Sequence, residues 1–82
     1  MKDEELLARI TIDPNVMVGK PVIAGTRVPV DMILRQLAQG MKFEQILTNY
    51  PHIIEDDIRA CLLFASNAVA SPSFMPLEPE PA

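Results

Sequence analysis

A chain of 82 residues is long enough for one small domain, which buries only about 60% of its unfolded surface and gains stability from a partner subunit. With 49% hydrophobic and 22% charged residues, and no apolar run near the roughly 20 residues of a membrane span, the composition is that of a soluble globular protein. One cysteine and one histidine exclude a disulfide framework and a structural zinc cluster, and the acidic start lacks the features of a secretory signal, so we expect a cytoplasmic protein.

The net charge of −4 is divided unevenly along the chain. Residues 1–8 carry −2 from one lysine and three acids, residues 9–42 carry +3 from five basic and two acidic residues, and residues 43–82 carry −5 from one arginine and six acids. The basic residues of the middle portion are Arg9, Lys20, Arg27, Arg35 and Lys42. Contact with a polyanion is therefore expected there if it occurs at all.

The N-terminal third predicts a short helix followed by a small β ribbon. DEELLAR consists of strong helix formers with acids at the favourable end. Ile10 and Ile12 alternate with polar neighbours before the turn signal Asp13-Pro14-Asn15, so a short strand should end there. Residues 16–18 and 21–23 are further extended candidates, with Pro21 suited to a sheet edge because it cannot donate to a ladder.

From Val30 the spacing of apolar residues becomes helical. Pro29 and Gly40 mark the start and stop of a first helix, and Asp31 and Arg35 are spaced for an ion pair on its wet face. The apolar face of this helix consists of Val30, Ile33, Leu34, Leu37 and Ala38. A second, shorter helix from Phe43 to Tyr50 is closed by Pro51.

The third helix is the longest and has more apolar surface than one stripe. Its first turn holds Glu55-Asp56-Asp57, where the helix dipole favours negative charge. The stripe consists of Ile58, Cys61, Leu62, Ala65 and Val69. At about 100° per residue, Leu63 and Phe64 point away from that stripe, so we infer a second apolar surface and, most simply, a homodimer contact.

Three helices joined by short turns predict a mainly α, helix-turn-helix-like bundle within residues 1–70, preceded by the short N-terminal ribbon. A loose four-helix arrangement that uses the N-terminal helix is the alternative. Residues 71–82, SPSFMPLEPEPA, predict a disordered, proline-rich acidic tail. Its candidate partner contacts are Phe74, Met75 and Leu77.

The segment GKPVIAGTRVPV, residues 19–30, could be a phosphate-binding loop or a connector. A phosphate loop needs Gly-Lys-Ser/Thr after the first glycine, at the mouth of a helix, and here the order is reversed. A connector explains the glycines and prolines, with Gly25 at a positive φ. Lys20 and Arg27 then either pair with Asp13 or Asp31, or reach phosphate oxygens of a nucleic acid.

Catalytic constellations are missing from the sequence pattern, so we expect no enzyme, cofactor or metal site. His52 lies in a turn, and Cys61 lies on the core stripe, where it serves as a small hydrophobic residue. The acids at residues 55–57 are better explained by helix capping than by metal binding. They would also repel phosphates from the start of the third helix. The nucleic-acid-binding candidates are instead Lys20, Arg27, Arg35 and Lys42.

Residues 10–66 resemble the bacterial and archaeal domain-of-unknown-function family 433. The match is carried by GKPVIAGTRVPV, a Leu-Ala-x-Gly helix end, Tyr50-Pro51 and an acidic turn before an Ala/Leu-rich helix. The resemblance implies a homeodomain-like three-helix fold and an antitoxin that dimerises, pairs with a PIN-related nuclease-like toxin and binds its own operator DNA. The chain departs from the family at Lys42 and Ile54, where Ser or Thr is usual, which predicts less rigid turns.

Two functions follow as hypotheses. The first is an antitoxin-like, non-enzymatic binding protein whose tail either enters a basic nuclease cleft or only solubilises the chain. The second is an adaptor or structural module that binds another protein through the Leu63/Phe64 surface and has no nucleic-acid role.

Overall fold

The computed structural model describes residues 2–71 as a mostly helical protein with one small sheet. In chain order the elements are α1 (Asp3–Leu7), β1 (Ile10–Ile12), a 3₁₀ turn (Met17–Gly19), β2 (Pro21–Ile23), α2 (Val30–Ala38), α3 (Phe43–Asn49) and α4 (Glu55–Ala70). The two strands form a two-stranded sheet. The mainly α class with an N-terminal ribbon is thus confirmed. None of the helices in this described range is long and apolar enough to cross a lipid bilayer.

The ribbon is an antiparallel pair in which Ile10 lies opposite Ile23 and Ile12 lies opposite Pro21. Pro21 begins β2, where its missing N–H costs the ladder little. The backbone N–H of Ala24 donates to the carbonyl of Arg9 at 2.7 Å, which extends the pairing by one step. A small ribbon was predicted, and the structure confirms it.

The segment between the strands differs from the prediction. Residues 16–18 were expected to be extended, but Met17 and Val18 have φ of 51° and 58° and belong to the 3₁₀ turn. The reason is that the chain must reverse between Asp13 and Pro21 to make β2 antiparallel to β1. The reversal begins where the Asp13 carboxylate accepts the backbone N–H of Asn15 at 2.8 Å.

Helices α2 and α3 end as their flanking residues predict. Gly40 follows α2 with φ of 90°, a left-handed conformation that suits glycine at a helix C-terminus. The missing caps of α3 and α4 are replaced from inside each helix. The side chain of Gln45 accepts the backbone N–H of Lys42 at 2.8 Å, and Asp57 accepts that of Ile54 at 2.9 Å. Each pairing supplies half of a capping box at a turn that the sequence predicts to be loose.

The core is built by β2 and by the three longer helices. Its buried members are Ile23, Val30, Ile33, Ile46, Ile53, Ile58 and Cys61. Helix α4 is the central element, because it packs against α1, α2, α3 and β1. Helix α1 lies on α4 but contributes no buried residue, so it covers the core rather than forming it.

The inward face of α4 is rotated relative to the predicted stripe. Ile58 and Cys61 are buried as expected, but Leu62 and Val69 are 42% and 62% exposed. Phe64, expected on a second outward surface, packs against the core cluster instead. The rotation follows from α1 and β1, which pack on a flank of α4 that the stripe leaves to solvent. Leu63 is half-buried.

Candidate functional site

The Gly25-Thr26-Arg27 segment forms a hydrogen-bonded turn. The backbone N–H of Thr26 donates to the carbonyl of Ile23 at 3.0 Å, with Gly25 at φ of 77° in the third position of the turn. The Thr26 hydroxyl donates to the same carbonyl at 2.7 Å and accepts the backbone N–H of Val28 at 3.0 Å. A Cβ on Gly25 would meet nothing within 4 Å, so the glycine is required for its backbone conformation alone.

This turn connects β2 to α2 and leaves Arg27 exposed. The N–H of Ile23 donates to the carbonyl of Val28 at 3.0 Å, and Val22 bridges Pro29. The N–H groups of residues 23, 26 and 28 are therefore all engaged within the turn. A phosphate loop would have to leave such groups free, so the geometry supports the connector interpretation.

Lys20 is the predicted nucleic-acid contact that has an acidic partner. Its ammonium lies 3.5 Å from the carboxylate of Asp31, with both side chains mostly exposed. The expected Asp31–Arg35 ion pair is not formed, because the turn before β2 brings Lys20 to the first turn of α2 and to Asp31. An exposed pair of this kind contributes roughly 0–1 kcal/mol, so Lys20 can exchange partners.

Arg27, Arg35 and Lys42 are exposed, and their side chains make no hydrogen bond or ion pair with any other residue in the range 2–71. Arg27 precedes α2, Arg35 lies within it and Lys42 precedes α3. Helix α2 has 9 residues. At about 1.5 Å per residue it is roughly 14 Å long. The structure therefore spaces these cations before, within and after α2 and does not gather them in one pocket. We call Arg27, Arg35 and Lys42, together with the paired Lys20, the basic set.

Two of the three acids in the first turn of α4 are engaged within the protein. Asp57 is 7% exposed and lies 3.1 Å from the guanidinium of Arg9. Glu55 pairs with Arg59 at 2.8 Å. Capping by Asp57 was predicted, whereas its bond to Arg9 was missed. The chain offers no local signal for a contact between residues 48 positions apart.

The Tyr50-Pro51 motif has a structural contact at its tyrosine. The Tyr50 hydroxyl accepts a hydrogen bond from the side-chain amide of Gln36 at 3.0 Å and donates to the sulfur of Met32 at 2.9 Å. Both partners belong to α2, so this hydroxyl ties the end of α3 to the helix that carries Arg35.

The two residues whose side chain types are common in catalysis, His52 and Cys61, lie in different environments. His52 is exposed in the turn after α3, as expected for a solvated turn residue. Cys61 is fully buried, and burial, assisted by the charge of Asp57, raises the pKa of its thiol from 9.0 to about 12. The thiolate form that nucleophilic chemistry requires is therefore strongly disfavoured. In the part of the chain that is described, no group of three His, Cys, Asp or Glu residues could hold a metal ion.

Two apolar grooves flank Phe64 on the surface of α4. One lies between α4 and the N-terminal elements and is lined by Leu7, Ile10, Ile12, Phe64, Asn67 and Ala68. The other, which we call the α2–α4 groove, is lined by Pro21, Leu34, Phe64, Ala65, Ala68 and Val69, with Lys20 and Asp31 at its rim. The remaining predicted partner contacts, Phe74, Met75 and Leu77, lie outside the described residues, as does the predicted tail from residue 72 onward.

Comparison with known proteins identifies relatives for most of this fold. The family described as "Protein of unknown function (DUF433)" matches residues 10–65. The crystal structure of a DUF433 member protein from Anabaena variabilis superimposes with a TM-score of 0.71 and 30% sequence identity, covering 78% of this chain and 63% of that one.

Two sequence relatives match shorter stretches. An uncharacterized protein of Sinorhizobium fredii, y4eO, is 34% identical over 56 residues, which is 68% of this chain but only 25% of the relative. An uncharacterized protein of Archaeoglobus fulgidus is 59% identical over 29 residues, or 35% of this chain and 81% of the relative. The chain thus matches only about a quarter of the length of the Sinorhizobium fredii protein.

Proposed function

Since the chain belongs to the DUF433 family of proteins of unknown function, its role has to be argued from its own surfaces, and we propose that it is an antitoxin-like, non-enzymatic binding protein of the cytoplasm. In this proposal the chain forms a homodimer, pairs with a PIN-related nuclease-like toxin and binds its operator DNA. The three helices α2, α3 and α4 act as a homeodomain-like, helix-turn-helix-like unit.

The DNA-binding part of the proposal rests on the exposure of three cationic side chains and on their lack of acidic partners among residues 2–71. Arg27, Arg35 and Lys42 are exposed and unpaired among residues 2–71, so they can approach phosphate oxygens without first losing a partner. The acids at the start of α4 argue against α4 as the helix that enters the DNA groove. A helix-turn-helix protein usually inserts its third helix N-terminus first, and here that end carries Glu55 and Asp56. We therefore propose that α2 faces the DNA and α4 serves assembly.

Charge reversal tests this proposal. The double variant Arg27→Glu/Arg35→Glu is expected to abolish binding to DNA from upstream of the gene, measured by fluorescence anisotropy. The variant Arg59→Glu is the control, because it also reverses an exposed arginine, on α4. It should bind within a few-fold of the unchanged chain. Equal affinity of the double variant and the unchanged chain would contradict the basic set as a DNA contact.

The alternative is a protein-binding adaptor with no nucleic-acid role, and exposed apolar residues favour it. Leu62 and Val69 on α4 are large apolar side chains that are 42% and 62% exposed, as expected at a protein interface. The adaptor needs no DNA affinity, so the same anisotropy experiment separates the two functions. An adaptor would leave the labelled DNA unbound with every variant.

A further inference from the structure

Another cavity lies on the ribbon, beside the turn that carries Arg27. Its volume is about 510 Å³, within the roughly 300–1,000 Å³ found for small-molecule sites. Ile10 and Ile12 of β1 face α4, where they line a groove with Phe64. Because side chains alternate along a strand, Thr11 lies on the other face, and it lines the cavity. The cavity is therefore separate from both apolar grooves beside α4.

The lining combines an apolar wall with a free hydroxyl group. Val22, which lies opposite Thr11 in β2, is fully buried, and Val16 is half-buried. Gly25 adds no side chain, and a Cβ there would meet nothing within 4 Å, so the space beside it is open. The Thr26 hydroxyl is engaged in its own turn. The Thr11 hydroxyl has no hydrogen bond with any residue in the range 2–71, so it is available to a ligand.

Asp13 and Arg27 bring opposite charges to this cavity, and they form no ion pair with each other. Asp13 is half-buried, and its Oδ1 accepts the backbone N–H of Asn15, whereas Oδ2 has no partner among residues 2–71. Within the same range the guanidinium of Arg27 has none either. Lys20, the other cation that could have paired with Asp13, pairs with Asp31. The cavity therefore presents one free carboxylate oxygen and one free guanidinium.

We propose that this cavity binds a small zwitterion, a free amino acid or a dipeptide with an apolar side chain. The ammonium group of the ligand donates to Asp13, and its carboxylate accepts from the guanidinium of Arg27. Its apolar side chain packs on Val16 and Val22. A ligand with a single charge would leave the other charged group of the cavity without a partner, which disfavours simple anions and cations.

Occupancy of the cavity would engage one member of the basic set. The guanidinium of Arg27 cannot hold a ligand carboxylate and a DNA phosphate in the same geometry, so the zwitterion would compete with DNA. This consequence rests on the proposed function, whereas binding of the zwitterion does not.

Amide NMR titrations of the full chain with L-valine and with glycyl-L-valine test the site. Saturable shifts are expected at the amides of Thr11, Val16, Gly25 and Arg27 with at least one of these probes. The same probe with its amino group acetylated, or with its carboxylate converted to an amide, should bind about tenfold or more weakly, because each change removes one charged hydrogen bond.

Two variants identify the charged groups that hold the ligand. Asp13→Asn and Arg27→Gln are each expected to weaken binding of the effective probe by about tenfold or more. The asparagine keeps an oxygen that can accept the backbone N–H of Asn15, so the turn should be preserved. The matched controls are Asp56→Asn, at a half-buried aspartate, and Arg35→Gln, at an exposed arginine, and neither residue lines the cavity. Both controls should bind the probe as the unchanged chain does.

Three results would overturn the proposal. They are the absence of saturable shifts with both probes, equal affinity for a probe that has lost one of its charges, and undiminished affinity in Asp13→Asn or Arg27→Gln. The titrations contain neither DNA nor toxin, so their failure is distinguishable from a failure of the proposed function.

Discussion

Asp57 joins two distant parts of the fold through its two carboxylate oxygens. Oδ1 accepts a hydrogen bond from the Arg9 guanidinium at 3.1 Å, and Oδ2 accepts the backbone N–H of Ile54 at 2.9 Å. The first contact fixes the start of the ribbon to α4, and the second caps α4. Asp57 is nearly buried, whereas the Arg9 side chain is 32% exposed, so water remains available to Arg9 if Asp57 is removed.

Asp57→Ala is expected to lower the free energy of unfolding by about 2–3 kcal/mol, because it removes a charged hydrogen bond and a helix cap together. Glu55→Ala is the control, since the Glu55–Arg59 pair is exposed and contributes about 0–1 kcal/mol. Urea unfolding of both variants measures the difference. Equal losses for the two would mean that the Arg9–Asp57 contact adds nothing beyond a surface ion pair.

Cys61 is expected to make the free energy of unfolding depend on pH in the alkaline range. Its thiol has a pKa near 12 in the fold and 9.0 as its ordinary value, so the unfolded chain loses the proton first as the pH rises. The stabilisation is complete below pH 9 and is lost between pH 9 and 12, with a limiting slope of about 1.4 kcal/mol per pH unit. Unfolding measured over this range should show the fall for the unchanged chain. The stability of Cys61→Ala should fall less steeply with pH. Parallel curves of stability against pH for the two proteins would contradict a raised pKa of the buried thiol.

At the scale of elements, local patterns predicted where the helices lie. Helices α2 and α3 agree with the predicted starts and stops because Pro29, Gly40 and Pro51 act within a few residues of themselves. The extended prediction was wrong for Met17 and Val18, although Val16 is extended, because the strand pairing on either side imposes a reversal there. A propensity read from neighbouring residues does not contain that constraint.

The sequence also left open which face of α4 points to the core. Periodicity assigns an apolar face only when one face is buried, and α4 is apolar over much of its circumference. Contacts with α1 and β1 decide that Phe64 faces the core and Leu62 faces solvent. The candidate basic residues were identifiable from charge alone, but the pairing of Lys20 with Asp31 required the three-dimensional course of the turn.

The exposed face of α4 is where we expect the homodimer contact. Leu62 and Val69 are seven positions apart, which places them within about 20° of each other around the helix. Leu62→Lys is therefore expected to shift sedimentation from dimer toward monomer. Ile54→Lys is the control, because Ile54 is 50% exposed but precedes the other end of α4. A monomeric unchanged chain, or equal dimerisation of both variants, would contradict this interface.

For the whole molecule, exposed cations lie before, within and after α2, acids lie in the first turn of α4, and Leu62 and Val69 are exposed on α4. Under the proposed function, the cations around α2 would contact DNA while α4 contacts a protein. The proposal predicts that the product of the neighbouring open reading frame is a small nuclease-like toxin. Co-expression should relieve its growth inhibition and yield a complex that copurifies. A neighbouring product that remains equally inhibitory in the presence of this chain would contradict the antitoxin role.

The salt dependence of DNA binding tests the central claim most directly. Phosphate contacts release counterions, so log K should fall linearly with log salt concentration, with a slope of about −0.9 per contact. Contacts from Arg27, Arg35 and Lys42 predict a slope of roughly −3 per protomer, and each single charge removal should reduce it by about 1. A slope near zero, or a slope that Arg27→Ala and Arg35→Ala leave unchanged, would contradict the claim that the basic set binds nucleic acid.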